Sequence, residues 1–242
     1  MSDRLRDWPQ IPALIDNLVA VAEFQGEPRG QLKVAIPIGL GQYHILPLMT
    51  DLIERYPNLR IKTILTDCAM KLGESQIDVA VRIGQQPDSS LMIRKLGSTR
   101  RIVVASPAYL ERHGMPKTPH DLKNHNCLRQ TEVTNLNKWE FHGPSGSLSV
   151  EANGRFEVNN TPALHKSALA GNGLIRVGDF IVGADINAGH LVQVLGDCGI
   201  AKKKEINAVY LQNRHLSPKV RAFIDTFVDN FLPHPPWELA AS

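Results

Sequence analysis

Three apolar runs decide the fold of this chain: Asp78-Val-Ala-Val-Arg-Ile-Gly84, Leu91-Met-Ile-Arg-Lys-Leu96 and Arg101-Ile-Val-Val-Ala-Ser106. Only the third run is followed by a helix-like segment, which begins after the break at Pro107. This pattern departs from the regular alternation of strand and helix in a simple parallel sheet. It predicts that the chain leaves one small sheet and enters another. A chain that crosses between two lobes leaves a cleft between them, and clefts are the usual sites of small-molecule binding.

Length and composition are typical of an ordinary soluble globular protein. The 242 residues can form one large domain or two small ones, and 43% of them are hydrophobic and 21% charged. No run approaches the roughly 18 apolar residues of a membrane span, and the first residues lack the apolar core of a signal peptide. Three widely spaced cysteines (Cys68, Cys127 and Cys198) predict reduced thiols in a cytoplasmic protein.

Signals for nucleic-acid binding, metal binding and catalysis are weak. The net charge of +3 is too small to imply nucleic-acid binding, and Lys202-Lys203-Lys204 is predicted to be a solvated loop. His120 and His125 match no complete zinc pattern. Gly143-Pro-Ser-Gly146 predicts a hairpin turn and lacks the glycine spacing of a nucleophile elbow. We therefore expect no enzyme activity, no metal and no cofactor.

The order of the predicted elements gives two lobes. A strand over residues 32–36, a helix over 45–56 and a strand over 60–66 form a β-α-β unit, whose strands we expect to be parallel. Short strands then dominate until a helix begins at Thr161-Pro162, with Thr161 as its predicted cap. The chain returns to strand and helix after Glu205. We predict lobe I over residues 31–101 and 207–232, lobe II over 102–206 and a tail over 233–242.

Residues 1–30 are predicted to form a separate leader. Its apolar residues recur at helical spacing, and Gly26-Glu-Pro-Arg-Gly30 then breaks the helix. A lone amphipathic helix needs a partner to cover its apolar face. The partner is either the surface of the same chain or another subunit.

Four segments resemble the effector-binding domain of LysR-type transcriptional regulators. They are Arg29-Gly-Gln-Leu-Lys-Val-Ala-Ile-Pro37, Ile77-Asp-Val-Ala-Val-Arg-Ile-Gly84, Arg101-Ile-Val-Val-Ala-Ser-Pro-Ala-Tyr-Leu110 and His215-Leu-Ser-Pro-Lys-Val-Arg-Ala-Phe-Ile-Asp225. The resemblance covers residues 28–232 in the order of the family. It implies an α/β fold like that of type II periplasmic binding proteins, with two lobes, two cross-lobe connections and the effector between the lobes.

The resemblance also implies partners. A small-molecule effector and a second subunit, giving a homodimer, are expected, with no membrane contact. Residues 1–30 resemble the end of the family's linker helix, so DNA is expected to be contacted only through a winged helix-turn-helix outside this chain. Two alternatives stay open: a solute-binding protein of the same fold, which would need an export signal, and a truncated regulator that pairs with full-length regulators.

Candidate effector-binding residues follow from the rule that ligands gather at the carboxyl ends of strands, near helix N-termini. They also look like the positions that line the effector pocket in the family. The candidates are Ile38, Gly39, Leu40, Thr66 with Asp67, Arg82, Ile83, Gly84, Gln130, Asn160, Thr161, Val177 and Gly178.

The chemistry of these candidates favours a small anionic or polar effector. The helix that begins at Thr161 would aim free N–H groups at it, and Arg82 would supply a full charge. Two positions depart from the family: Ile38-Gly39 stands where Ser or Thr is frequent, and Val177-Gly178 where Leu-Pro is common. Simpler structural roles also remain open, with Arg82 as an outward-facing strand residue and Asn160 as part of a turn.

Overall fold

The computed structural model describes residues 26–68, 70, 72–85, 90–143, 146–198, 202–211 and 217–238. Residues 1–25 of the predicted leader therefore lie outside the described part. Its strands are β1 (Gly30–Ile36), β2 (Leu59–Leu65), β3 (Val79–Ile83), β4 (Leu91–Thr99), β5 (Arg101–Ala105), β6 (Arg129–Gln130), β7 (Lys138–Gly143), β8 (Gly146–Glu151), β9 (Glu157–Val158), β10 (Ile175–Gly178), β11 (Val192–Val194) and β12 (Lys204–Leu211). Its main helices are α1 (Leu46–Arg55), α2 (Pro107–His113), α3 (Thr161–Leu169), α4 (Asp179–Asn187) and α5 (Pro218–Phe231).

The first lobe is built on a five-stranded sheet in the order β2-β1-β3-β12-β4. Strands β1 and β2 run parallel, with Gly30 opposite Leu59, and helix α1 makes the crossover between them. Strand β12, which comes late in the chain, pairs antiparallel with both β3 and β4. Its five consecutive buried residues, Ile206–Tyr210, suit this position inside the sheet.

The second lobe is built on a three-stranded sheet in the order β10-β5-β11. Strand β5 lies between two antiparallel neighbours, and the chain enters it directly after β4 of the first sheet. Strands β7 and β8 form an antiparallel pair from Lys138 opposite Glu151 to Gly143 opposite Gly146, with residues 144–145 of the predicted turn outside the described part. The short strand β11 was not predicted, because three half-polar residues carry no clear periodicity.

Helix α3 begins differently from the prediction. The side chain of Asn160 accepts a hydrogen bond from the Ala163 N–H at 3.0 Å, so Asn160 is the N-cap and Thr161 is the first helical residue. The prediction that Thr161 caps the helix was wrong. The Thr161 hydroxyl instead lies between Gln130 and Asp67, as described below.

The two lobes are in direct contact behind the cleft. The short helical turn Ile38–Leu40 and the π-helical turn Gly41–Ile45 of the first lobe pack against α3 and α4 of the second. The end of the chain covers the same region. Trp237 is only 4% exposed, and its indole Nε1 donates to the Ser98 carbonyl at 3.0 Å. The predicted tail is therefore packed against the fold as far as residue 238. None of the helices in the described ranges has the length and apolar character needed to cross a bilayer.

Candidate ligand-binding cleft

A cleft of about 850 Å³ lies between the two sheets. Its walls come from the ends of β1, β2 and β3 in the first lobe and from β5, β7, β10 and the N-terminus of α4 in the second. The volume falls within the range of about 300–1,000 Å³ that is usual for small-molecule sites. The sequence order of the strands places the cleft here, because the chain crosses from sheet to sheet at Arg100.

Basic side chains dominate the charge in this cleft. Among the described residues, the basic members of its lining are Arg82, Arg100, Arg101, Lys138, Arg176, Lys202 and Lys204. The only acidic ones in the same part of the chain are Asp67 and Glu140. Walls of one sign concentrate the field in a cleft, so this one attracts anions.

Arg101 is the most strongly perturbed of these cations. It begins β5, and its Nη1 lies 3.4 Å from the backbone carbonyl of Arg176 on the neighbouring strand β10. Burial, together with repulsion from Arg176, lowers the pKa of Arg101 to about 10, although Asp67 opposes the shift. Within the described ranges no carboxylate forms an ion pair with Arg101. A desolvated cation without a paired anion is costly, and a ligand anion would relieve that cost.

Arg176 lies next to Arg101 because β5 and β10 are hydrogen-bonded neighbours. Its Nη2 donates to the Glu140 carbonyl oxygen at 3.1 Å, which fixes the direction of the side chain. Burial lowers the pKa of Arg176, and the Glu140 charge partly compensates. The second lobe thus presents two guanidinium groups to the same part of the cleft.

Asp179 stabilises the crossing between the sheets. Its carboxylate accepts a 2.6 Å hydrogen bond from the Thr99 hydroxyl and one of 3.3 Å from the Arg100 N–H, and Arg100 Nε lies 3.8 Å away. Burial raises the pKa of Asp179, while these partners lower it. Because its oxygens are committed to residues 99 and 100, Asp179 holds the cross-lobe connection and positions Arg100 and Arg101 at the cleft.

A chain of hydrogen bonds links the two lobes at another side of the cleft. Gln130 Nε2 donates to Thr161 Oγ1 at 2.6 Å, and Thr161 Oγ1 donates to Asp67 Oδ2 at 3.4 Å. The other oxygen of Asp67, Oδ1, accepts from the Ile38 N–H at 3.0 Å. The N-terminus of α3 is therefore connected directly to the ends of β1 and β2.

The structure brings seven of the thirteen predicted site residues to the cleft. Those that line it are Gly39, Thr66, Asp67, Arg82, Ile83, Thr161 and Gly178. Those that do not are Ile38, Leu40, Gly84, Gln130, Asn160 and Val177. Residues of the second group have structural roles behind the lining. Leu40 is fully buried in the core, and the Gly84 N–H donates to the Glu205 carbonyl at 2.8 Å. Arg82 combines a structural and a lining role. Its Nη2 donates to the Met70 carbonyl at 2.6 Å, and its side chain lines the cleft.

Sequence reasoning missed most of the basic lining. Arg101 lies in a quoted motif, yet its pattern as a charged residue opening an apolar strand does not distinguish a cleft residue from a solvated one. The lysines of Lys202-Lys203-Lys204 are exposed, as predicted, but Lys204 begins β12 instead of lying in a loop. The prediction also missed that Lys202 and Lys204 line the cleft. In the described ranges, no cluster of His, Cys, Asp and Glu side chains is arranged to hold a metal ion.

Two α/β lobes around a cationic cleft define a ligand-binding domain of the periplasmic-binding-protein type. Residues 25–232 match the family model described as the LysR substrate binding domain, and the chain belongs to this family. The predicted two-lobed α/β fold class is thereby confirmed.

Individual relatives support the same assignment. An "HTH-type transcriptional regulator" of Xanthomonas campestris is 34% identical over 86% of this chain, which spans only 62% of that relative's length. The regulator CrgA of Neisseria meningitidis is 31% identical over 91% of this chain and 72% of its own. The solved regulatory domain of CrgA, from the same species, superposes with a TM-score of 0.77 at 32% identity, covering 84% of this chain and 98% of that one. These relatives are named as transcriptional regulators.

Proposed function

We propose that this chain is the effector-sensing part of a LysR-type transcriptional regulator and that its cleft binds a small anionic effector. The observation that carries this proposal is Arg101, a desolvated guanidinium in the cleft with Arg176 beside it and no ion-pairing carboxylate in the described ranges. The LysR family membership supports the sensing role, and the names of the relatives support the link to transcription.

The two arginines suit a carboxylate or a similar oxyanion. A guanidinium presents a planar fork of N–H donors that matches the two oxygens of a carboxylate. The hydrogen bond from Arg176 Nη2 to the Glu140 carbonyl already restrains the Arg176 side chain, so less conformational entropy is lost when an anion binds. The apolar part of the lining, which includes Ile36, Val81 and Phe180, would cover the carbon skeleton of the ligand.

Binding in this position would act on both lobes. Ligands that contact two lobes favour the arrangement in which both contacts are made, and so shift its population. We propose two lobes close to those predicted from the sequence, with the second lobe beginning at β5 (Arg101) and the first lobe resuming at β12 (Lys204). We further propose that the domain acts as a homodimer. DNA would be contacted through a helix-turn-helix domain of the kind named in the relatives.

A thermal-shift screen of small carboxylates, each paired with its uncharged amide, tests the proposal. Ligand at about a hundred times its Kd adds about 2.7 kcal/mol to the free energy of unfolding, which is readily detected. We expect at least one carboxylate to raise the melting temperature, with no comparable rise for its amide. Equal shifts with both partners, or no shift with any carboxylate, would contradict an anion site.

A further inference from the structure

The carboxylate of Asp67 occupies a position that has the chemistry of a ligand-carboxylate site. One oxygen accepts the backbone N–H of Ile38, which follows β1, and the other accepts the hydroxyl of Thr161, the first residue of α3. Free N–H groups and the positive end of the helix dipole make such a place favourable for an anion. In this chain the anion comes from the protein itself.

The Asp67 carboxylate is held there against a desolvation cost. Burial is the largest influence on its pKa and raises it, while the bonds from Ile38 and Thr161 and the charge of Arg101 lower it. The nearby Glu132 adds a further rise. A buried carboxylate stays ionised only if hydrogen-bond donors stabilise its charge. The Ile38 N–H and the Thr161 hydroxyl do this for Asp67, so neither is free to bind the carboxylate of a ligand.

Gln130, which lies behind this end of the cleft and contacts Thr161, gives an independent sign that the region lacks donors rather than acceptors. The residue is 5% exposed, and its Nε2 donates to Thr161. Its Oε1 has no hydrogen-bond donor within the described part of the chain. Gln130 shares a small cavity of about 10 Å³ with Arg101, Arg176 and Thr161, which has room for no more than about one water molecule. A buried acceptor without a donor costs free energy until a donor arrives.

We propose that Asp67 is a built-in occupant of the carboxylate position at the N-terminus of α3. An effector would then place its own anionic group on Arg101 and Arg176 and offer a hydrogen-bond donor to Asp67. This inference rests on the proposed function of the cleft and narrows the effector class. The expected effector is an acid that carries a hydroxyl or amino group away from its carboxylate.

Removal of the internal carboxylate should open the position to an external one. The Asp67→Ala variant leaves the Ile38 N–H and the Thr161 hydroxyl without an acceptor. We expect sodium formate to raise the melting temperature of Asp67→Ala by about 2–4 °C more than that of the wild type, with sodium chloride at equal ionic strength as the reference. If Asp67→Ala does not fold in chloride, recovery of the folded state in formate replaces the shift as the readout.

Two further variants separate an empty site from a general effect of formate. Asp67→Asn keeps an oxygen that can accept the Ile38 N–H, so it should gain nothing from formate. Thr161→Val in the Asp67→Ala background removes one of the donors and should reduce the gain. Equal responses of Asp67→Ala and wild type, or no recovery in either salt, would overturn the inference.

The donor requirement is tested on the wild type with ligands of matched size. We expect 4-hydroxybutanoate and 4-aminobutanoate to raise its melting temperature more than pentanoate, and we expect Asp67→Ala to lose this preference. Equal shifts of the melting temperature for the three ligands, including no shift for any of them, would overturn the proposal that the effector donates a hydrogen bond to Asp67. Formate rescue needs no effector, so it can fail while the carboxylate screen succeeds, or succeed while that screen fails. Failure of this inference can therefore be distinguished from failure of the proposed function.

Discussion

The Tyr43 hydroxyl of the first lobe lies 2.8 Å from Nδ1 of His165 in the second. The Nε2 atom of the same ring lies 2.9 Å from Oδ2 of Asp185. The carboxylate favours the tautomer with its proton on Nε2, which leaves Nδ1 to accept the Tyr43 hydrogen bond. His165 is only 3% exposed, and burial lowers its pKa in spite of Asp185. A neutral, buried histidine thus joins the lobes behind the cleft.

This arrangement predicts a loss of stability in mild acid. The folded-state pKa of His165 lies below its unfolded value of about 6.5, so the unfolded state binds the proton first as the pH falls. Its contribution is fully present above pH ~6.5 and is lost as the pH drops toward the folded pKa. His44 and His125, whose pKa values are also lowered by burial, act in the same direction. Urea unfolding at pH 7.5 and 5.5 should show the fall, and His165→Gln should make it shallower. An unchanged pH dependence in that variant would exclude His165 as a source.

Gly39 should resist substitution because the lobes meet there. A Cβ atom at Gly39 would lie 2.8 Å from Cδ1 and 3.2 Å from Cγ1 of Ile181, which is itself buried. We expect Gly39→Ala to lower the free energy of unfolding by about 1–3 kcal/mol through overpacking. Gly73→Ala is the matched control, since a Cβ there meets no atom within 4 Å. Chemical unfolding gives the free energy of unfolding of both variants. Similar values for the two would contradict the prediction, because they would show that the contact between Gly39 and Ile181 can rearrange at little cost.

Trp237 should be a major stabilising residue despite its place near the end of the chain. Its ring packs against His44 of the first lobe at 4.5 Å and against Phe231 at 4.9 Å between ring centroids, and against Phe180 of the second lobe at 6.1 Å. We expect Trp237→Ala to cost about 3–5 kcal/mol in the free energy of unfolding. The neighbouring Glu238, whose partners Lys203 and His234 are exposed, is the control, and Glu238→Ala should stay near wild type. A mild effect of Trp237→Ala would show that the terminal segment contributes little.

The three thiols should react in a fixed order. Cys68 is exposed and Cys198 is half-buried, whereas Cys127 is buried and its pKa is raised by desolvation to about 12. Because the thiolate is the reactive form, Cys127 should be modified by a disulfide reagent at pH 8 only after unfolding. Cys68 should react first, and Cys68→Ser should remove the fast phase. A fast reaction that survives in Cys68→Ser would contradict this order.

Much of the fold could be predicted because its signals are local. Strands β1, β3 and β5 are marked by apolar residues and by the glycine or proline residues that end them, and α5 is marked by its apolar stripe. These signals involve only residues close together in sequence, so the sequence alone reveals them. The cap of α3 was misassigned by one residue, since Asn160 and Thr161 are both good capping residues and only tertiary contacts with Gln130 and Asp67 separate them.

The cleft was harder to predict than the fold because its chemistry depends on residues far apart in sequence. Arg101 and Arg176 become neighbours only through the β5–β10 pairing. Lys202 and Lys204 look like a solvated run until β12 returns to the first sheet. The strand-end rule placed about half of its residues on the cleft, but it could not tell lining residues such as Gly178 from buried neighbours such as Val177.

The most direct measurement is calorimetric titration of wild type and Arg101→Gln with the carboxylate that gives the largest thermal shift. A charge-assisted hydrogen bond contributes about 1.5–3 kcal/mol, so Arg101→Gln should weaken binding by roughly 10- to 100-fold. Its free energy of unfolding should be unchanged or higher, because an unpaired desolvated charge is removed. Arg60→Gln, at an exposed position on β2 outside the cleft, is the control and should bind like the wild type. Wild-type affinity in Arg101→Gln would contradict the account of the cleft as an anion site centred on this residue.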